Sequence, residues 1–313
     1  MSFTSTIKSE IVKYDLEKSE AFSFLAGFIR NNGVINNKLI INSENIKIIE
    51  CIISLIKKYF DIKYEVNIIS NLNFNKKKII EISIYDYKNL LISIGYFNSY
   101  YEYLSVVPNY IIDDDILIKY YLKGVFIATG SINDPKSARY HMELSINKAD
   151  EAVFIQALLN KYDLNAKILS RGKGYMIYIK ESEKISDFLK IIEANNAVLY
   201  YENIRILKDK INNTNRLNNC EQANIDKIVQ TSQDLLLDIK LIEESGNLNL
   251  LDDKELDVIK YRKKYPDKSL KELAIVISKN CDYNITKSGV NHRIRKIREF
   301  ALKIKNCGDK LWI

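Results

Sequence analysis

The chain has 313 residues, 47% of them apolar, and a formal net charge of +7, enough length for two or three domains with a sizeable buried core. No stretch of 18 apolar residues occurs, and MSFTSTIKSEIVKYDLEKSE mixes lysines with acids and lacks an apolar segment, so the sequence argues against a membrane span and a signal peptide. Cys51, Cys220, Cys281 and Cys307 form no C-x-x-C pair, and the only histidines are His141 and His292; no disulfide framework or zinc site is expected, and the thiols suit a reducing cytosol.

In chain order, residues 1–19 are expected to form an N-terminal helix. FLAGFIRNNG, residues 24 to 33, then reads as a buried helix that is thin at Ala26 and Gly27. Residues 39–66 read as strand, helix, strand, and 76–94 as an alternating strand and a helix. The same order returns 97 residues later. YLKGVFIATGSIN lies over FLAGFIRNNGVIN with Gly124 over Gly27, Gly130 over Gly33 and Asn133 over Asn36. Residues 142–169 repeat 39–66, and 172–192 repeat 76–94. Two copies of one α-β-β-α-like unit therefore occupy about residues 20–205. Small residues at matched places in two buried helices let backbones approach closely, so Gly27 and Gly124 are expected to face each other at a domain interface. Asp113, Asp114 and Asp115 precede the second motif helix, where capping and the helix dipole explain them. Asp134-Pro135 and the glycines of RGKGY read as turns.

Residues 211–250 read as a helical linker with a hinge near 246–250, since NNTNRLNNCEQANIDKIVQ lacks the Gly and Pro of a flexible tether. Residues 261–305 hold 13 Lys and Arg against 4 Asp and Glu, whereas 211–260 hold 5 against 10, which marks the later segment as the polyanion contact. Within it, LDDKELDVIKYRKKYP predicts a helix with an acidic first turn and a basic last turn. SLKELAIVISK opens with Ser269 and Glu272 at capping-box spacing, and TKSGVNHRIRKIREFALKIK carries a buried stripe of Val290, Ile294, Ile297, Ala301 and Ile304. Residues 268–303 thus read as a helix-turn-helix, although SKNCDYNIT is longer than the compact turn. The candidate DNA contacts are Ser269, Lys271, Lys287, Ser288, Asn291, His292, Arg293, Arg295, Lys296 and Arg298. Asn and Arg can read base edges, and the others suit phosphates. Lys76, Lys77, Lys78, Arg171 and Lys173 are secondary candidates beside the duplicated strands.

LAGFIRNNG and LKGVFIATG resemble the paired LAGLIDADG motifs of homing endonucleases. With YHMEL, LNAKIL, NRLNNCEQAN and ITKSGVNHRIRKI, the layout is similar to the WhiA regulators over essentially the whole chain. The resemblance implies an α+β fold: a duplicated LAGLIDADG-like α/β module with pseudo-symmetric halves at 20–110 and 111–210, the linker, and a small all-α helix-turn-helix domain at 251–313. In active nucleases of this type an acid just before the final glycine of each motif binds divalent metal; here Asn32 and Thr129 stand at those positions. Neutral side chains are poor magnesium ligands, so no catalytic residue, metal or cofactor is expected. The resemblance implies a non-enzymatic, cytoplasmic, nucleoid-associated regulator of transcription, cell division and chromosome segregation, and of sporulation in sporulating lineages. Its expected partners are double-stranded DNA and other division or transcription regulators. The alternatives are an active metal-dependent endonuclease, built from the loop acids Asp113, Asp114, Asp115 and Asp134, and a protein-interaction scaffold.

Overall fold

The computed structural model describes residues 2–12, 15–70, 78–172 and 174–308, and its contacts divide the chain into two units, Met1–Asp209 and Lys210–Ile313. Among the described residues no helix is long and apolar enough to cross a membrane.

The first unit begins with α1 (Phe3–Ile11) and then builds one arrangement twice. The first copy comprises α2 (Lys18–Asn32), β1 (Val34–Ile35), β2 (Leu39–Ser43), α3 (Ile46–Tyr59), β3 (Tyr64–Ser70), β4 (Lys78–Ile84) and α4 (Lys88–Ser93). The second comprises α5 (Asp115–Thr129), β5 (Gly130–Ile132), β6 (Met142–Ile146), α6 (Ala149–Lys161), β7 (Lys167–Arg171), β8 (Gly174–Ile179) and α7 (Ser182–Ile191). Each copy forms a four-stranded antiparallel sheet, and the two strand orders correspond: β1-β2-β4-β3 and β5-β6-β8-β7.

Period-two alternation explains which face each sheet buries. Leu39, Ile41, Ile82 and Ile84 point into the core of the first copy, as Met142, Leu144, Ile177 and Ile179 do in the second. Apolar residues three and four apart on α3 (Ile48, Ile49, Ile52, Leu55 and Ile56) and on α6 (Ala152, Ile155 and Leu159) cover those faces.

Helices α2 and α5 join the two copies by packing on each other along their length. The two glycines lie against each other's helical turn, as expected, and what each receives is the partner's backbone. A Cβ on Gly27 would fall on the carbonyl oxygen of Tyr121 and 3.1 Å from the Val125 nitrogen; one on Gly124 would fall on the Phe24 carbonyl oxygen and 2.8 Å from the Phe28 nitrogen. Each glycine receives the backbone of the turn that contains its counterpart, with the carbonyl three residues before that counterpart nearest. The protruding carbonyl oxygens of that turn can approach only where no Cβ stands between the helices.

The second unit contains the later part of α8 (Asn195–Glu244), then α9 (Asp253–Lys264), α10 (Leu270–Asn280) and α11 (Lys287–Gly308). The expected linker and hinge do not match this division. Residues 211–244 continue a helix that starts at Asn195, and the boundary between units falls at 209/210, not near 246–250. The reason is burial: Leu235, Ile239 and Ile242 of α8 belong to the same core as Val258, Leu273, Ile277, Val290, Ile294 and Ile297. Capping boxes start two of the helices. Asp252 and Glu255 exchange hydrogen bonds ahead of α9, and Ser269 and Glu272 do so ahead of α10.

Candidate nucleic-acid interface

The six residues between α10 and α11, 281–286, are held at both ends. The Ile285 amide donates to Ser278 Oγ at 2.9 Å, and the Tyr283 hydroxyl donates to Asp257 Oδ2 on α9 at 3.0 Å. Tyr283 and Ile285 also pack against the core. The turn is longer than a compact one because two of its side chains serve as anchors. Thr286 then accepts the Gly289 amide at 3.2 Å and starts α11.

Val290, Ile294, Ile297 and Ala301 are buried, so the opposite face of α11 is exposed. Five of the eight candidate side chains on this helix lie there: Lys287, Ser288, Asn291, His292 and Arg295 are exposed and make no side-chain hydrogen bond or ion pair within the described residues. They occupy successive turns of its N-terminal half.

The remaining candidates turn toward their own unit. Arg293 Nη1 donates back to the Gly289 carbonyl at 3.1 Å. Lys296 pairs with Glu255 at 3.2 Å and lies 3.9 Å from Asp252. Arg298 donates to the Thr231 carbonyl at 3.1 Å and stands 3.8 Å from Asp238. Ser269 is occupied as a cap: its hydroxyl donates to Glu272 Oε2 at 2.8 Å, which holds that carboxylate below the usual range. Lys271 is exposed beside it.

In the first unit, the ends of the motif helices carry structural hydrogen bonds. Asn32 Nδ2 donates to the Asn42 carbonyl at 3.1 Å, and Asn32 Oδ1 accepts the Asn42 amide at 3.2 Å. The amide side chain thus imitates a neighbouring strand along β2. Thr129 Oγ1 donates to the Val125 carbonyl of its own helix at 3.2 Å. A carboxylate at position 32 could accept but not donate. Asn32→Asp is therefore expected to lower stability by about 1–2 kcal/mol in urea titration at neutral pH, and an unchanged midpoint would contradict the strand-like role. Beside this end lies a cavity of about 350 Å³, lined partly by Ser5, Lys8, Asn32 and Asn45. Burial lowers the Lys8 pKa to about 8.

Three of the four loop acids are engaged elsewhere, and the fourth, Asp113, is exposed. Asp114 caps α5 by accepting the Leu117 amide at 2.7 Å, and Asp115 pairs with Lys161 at 2.8 Å. Both stand at the opposite end of a 15-residue helix from Thr129, about 22 Å away at the usual rise. Asp134 closes its turn by accepting the Lys136 amide at 2.9 Å. Among the described residues no group of three or more His, Cys, Asp or Glu is placed to hold a metal ion. Lys78 and Arg171 lie exposed at strand ends. Lys76, Lys77 and Lys173 fall outside the described residues.

Periodicity gave no warning of a buried ionic cluster between the copies. Arg30, at the sixth position of the first motif, pairs with Glu151 of α6 at 2.9 Å; their side chains are 1% and 3% exposed. Arg30 also donates to the carbonyls of Gly95 (3.1 Å), Leu104 (2.8 Å) and Ser105 (3.0 Å), while the buried Tyr121 hydroxyl donates to Glu151. Burial alone would lower the arginine's pKa, but Glu151, Tyr121 and Tyr103 raise it above its ordinary value. The sequence clue was a lone cation inside an apolar helix.

Comparison with known proteins settles the family. A family model described as the WhiA LAGLIDADG-like domain matches residues 118–210, and one described as the WhiA C-terminal HTH domain matches 214–301. A relative from Oceanobacillus iheyensis, named Probable cell division protein WhiA, is 37% identical over 311 residues, covering 97% of this chain and 98% of that one. The chain belongs to the WhiA family. A relative of the same name from Clostridium acetobutylicum is also 37% identical, over 98% of this chain and 100% of its own. The crystal structure of full-length DUF199/WhiA from Thermatoga maritima covers 97% of this chain and 99% of its own with a TM-score of 0.59 at 22% identity, so the WhiA fold is shared. The N-terminal family model reaches only the second copy; the first is tied to WhiA by relatives that align along nearly the whole chain.

Proposed function

We propose that this WhiA-family chain is a DNA-binding regulator that reads duplex sequence with α11 and performs no catalysis. The observation that carries the reading is the exposed row of Lys287, Ser288, Asn291, His292 and Arg295 on a helix whose other face is fixed by a packed core. A helix so presented fits the major groove, with Asn and Arg matched to purine edges. The ten sequence candidates then divide by role. Asn291, Arg295 and His292 face the bases; Lys287, Ser288 and Lys271 hold phosphates; Ser269, Arg293, Lys296 and Arg298 position the helix from within the unit. Asn32 and Thr129, tied into backbone hydrogen bonds at the former carboxylate positions, support a retired nuclease module that serves as scaffold and partner surface, with Gly27 and Gly124 at its interface. The wider role, in cell division and chromosome segregation with control of transcription and of sporulation genes where the host sporulates, follows the family resemblance and the relatives' names.

Fluorescence anisotropy on cognate and scrambled duplexes tests the assignment. Asn291→Ala or Arg295→Ala is expected to remove about 1–3 kcal/mol of discrimination between duplexes. Lys287→Ala should weaken both duplexes alike and flatten the dependence of log affinity on log salt by roughly 0.9. Equal losses on every duplex for Arg295→Ala would remove it as a reader, and failure of the wild-type chain to bind any duplex would sink the reading as a whole.

A further inference from the structure

The second unit contains a cavity of about 440 Å³ that the exposed row on α11 does not explain. Its walls come from α8, the end of α9, the segment before α10, the first turn of α10 and the first residue of α11. They bring together five cations, Lys227, Arg262, Lys268, Lys271 and Lys287, and no Asp or Glu lines the cavity. None of these five forms an ion pair within 4.0 Å among the described residues, although lysines nearby, such as Lys263 and Lys296, do; Lys268 lies near enough to Glu272 to help lower that carboxylate's pKa.

Arg262 is the most informative of the five. It is only 3% exposed, and burial lowers its pKa below the ordinary value. Its Nη1 donates to the carbonyls of Pro266 at 3.2 Å and Lys268 at 2.7 Å, while its Nε has no hydrogen-bond partner. The Ser232 hydroxyl of α8 donates to the same Pro266 carbonyl at 2.6 Å. The walls are therefore tied to each other, and Arg262 is fixed between them.

Arg262 is buried without a counterion and with its Nε unpartnered, and the exposed Lys227, Lys271 and Lys287 and the half-buried Lys268 line the same cleft, so an anion bound there would answer both the buried guanidinium and the lysines. Arginine and lysine together suit phosphate: a planar fork of donors beside compact point charges. We propose that this cavity is a phosphate-binding cleft whose ligand is the backbone of the duplex flanking the groove read by α11. The assignment of the duplex as the source rests on the DNA-binding reading above. It makes α8, through Lys227, a DNA-contacting element and adds Lys227, Arg262 and Lys268 to the interface.

The test uses the full-length chain and the double variant Lys227→Gln, Lys268→Gln; neither ammonium makes a hydrogen bond among the described residues, so the fold is expected to be kept. Anisotropy is measured on two duplexes of different sequence across a potassium chloride series. Separately, pyrophosphate is titrated at constant ionic strength and its binding read from the thermal unfolding midpoint. The expected result is a salt slope flattened by roughly 1.8 on both duplexes, about 0.9 for each phosphate that the variant leaves unneutralised, with the ratio between the two duplexes kept. An unchanged slope together with pyrophosphate stabilisation of the wild type alone would support the cleft but move its ligand from the duplex to a free phosphate compound. An unchanged slope with no pyrophosphate effect overturns the cleft. If the wild type binds no duplex at all, the functional reading fails, and the pyrophosphate titration still decides the cleft.

Discussion

Replacing Gly124 with Leu is expected to cost the first unit about 3 kcal/mol or more, the upper end of overpacking effects. For a unit of this size that is a fall of roughly 6–12 °C in its unfolding midpoint by differential scanning calorimetry. The cause is the Phe24 carbonyl oxygen, which occupies the space a Cβ would need, with the Phe28 nitrogen 2.8 Å away. Neither is the end of a flexible side chain that could swing aside, so α2 and α5 must separate. Gly27→Leu should behave alike, because Gly27 meets the Tyr121 carbonyl oxygen in the same way. Gly172 provides the control: an added Cβ there meets nothing within 4 Å, and only its left-handed backbone, at φ +56, resists substitution. Gly172→Ala should cost about 1 kcal/mol. Equal effects at positions 124 and 172 would show that the glycines act through backbone conformation and not through the helix pair.

Glu151→Leu should be comparably damaging, at about 3–5 kcal/mol, the usual cost of leaving a buried charge without its partner. Arg30 would remain buried among the Gly95, Leu104 and Ser105 carbonyls without a counterion, and the buried Tyr121 hydroxyl would lose its acceptor. Tyr121→Phe removes only that hydroxyl and should cost about 1 kcal/mol. Chemical denaturation of the three proteins checks the order. If Tyr121→Phe costs as much as Glu151→Leu, the cluster stabilises through the Tyr121–Glu151 hydrogen bond, and the ion pair between the copies contributes little.

Much of the architecture was readable because it depends on neighbours along the chain. The capping boxes at Asp252–Glu255 and Ser269–Glu272, the buried stripe from Val290 to Ala301, and the alternation at Leu39–Ile41 and Ile82–Ile84 all arise from spacings of two to four residues. The internal repeat added a longer-range signal, since a glycine in one motif helix acquired meaning from its match in the other. The candidate interface was only partly readable. Spacing placed Arg295 and Asn291 on the outer face of α11, yet the same helix also carries Arg293, Lys296 and Arg298, whose partners lie on other turns and other helices.

The sequence by itself determined the elements, their duplication and the face each helix buries, because hydrophobic periodicity and capping are local physics. It also carried the family. Only the tertiary structure decided that each glycine meets the carbonyl three residues before its counterpart, since that depends on how two helices pack. The pairing of Arg30 with Glu151, 121 positions later, was likewise beyond local spacing. So was the cavity shared by Lys227, Arg262, Lys268 and Lys287: charge counts along a chain do not say which charges line one cavity, and that is decided when the core closes.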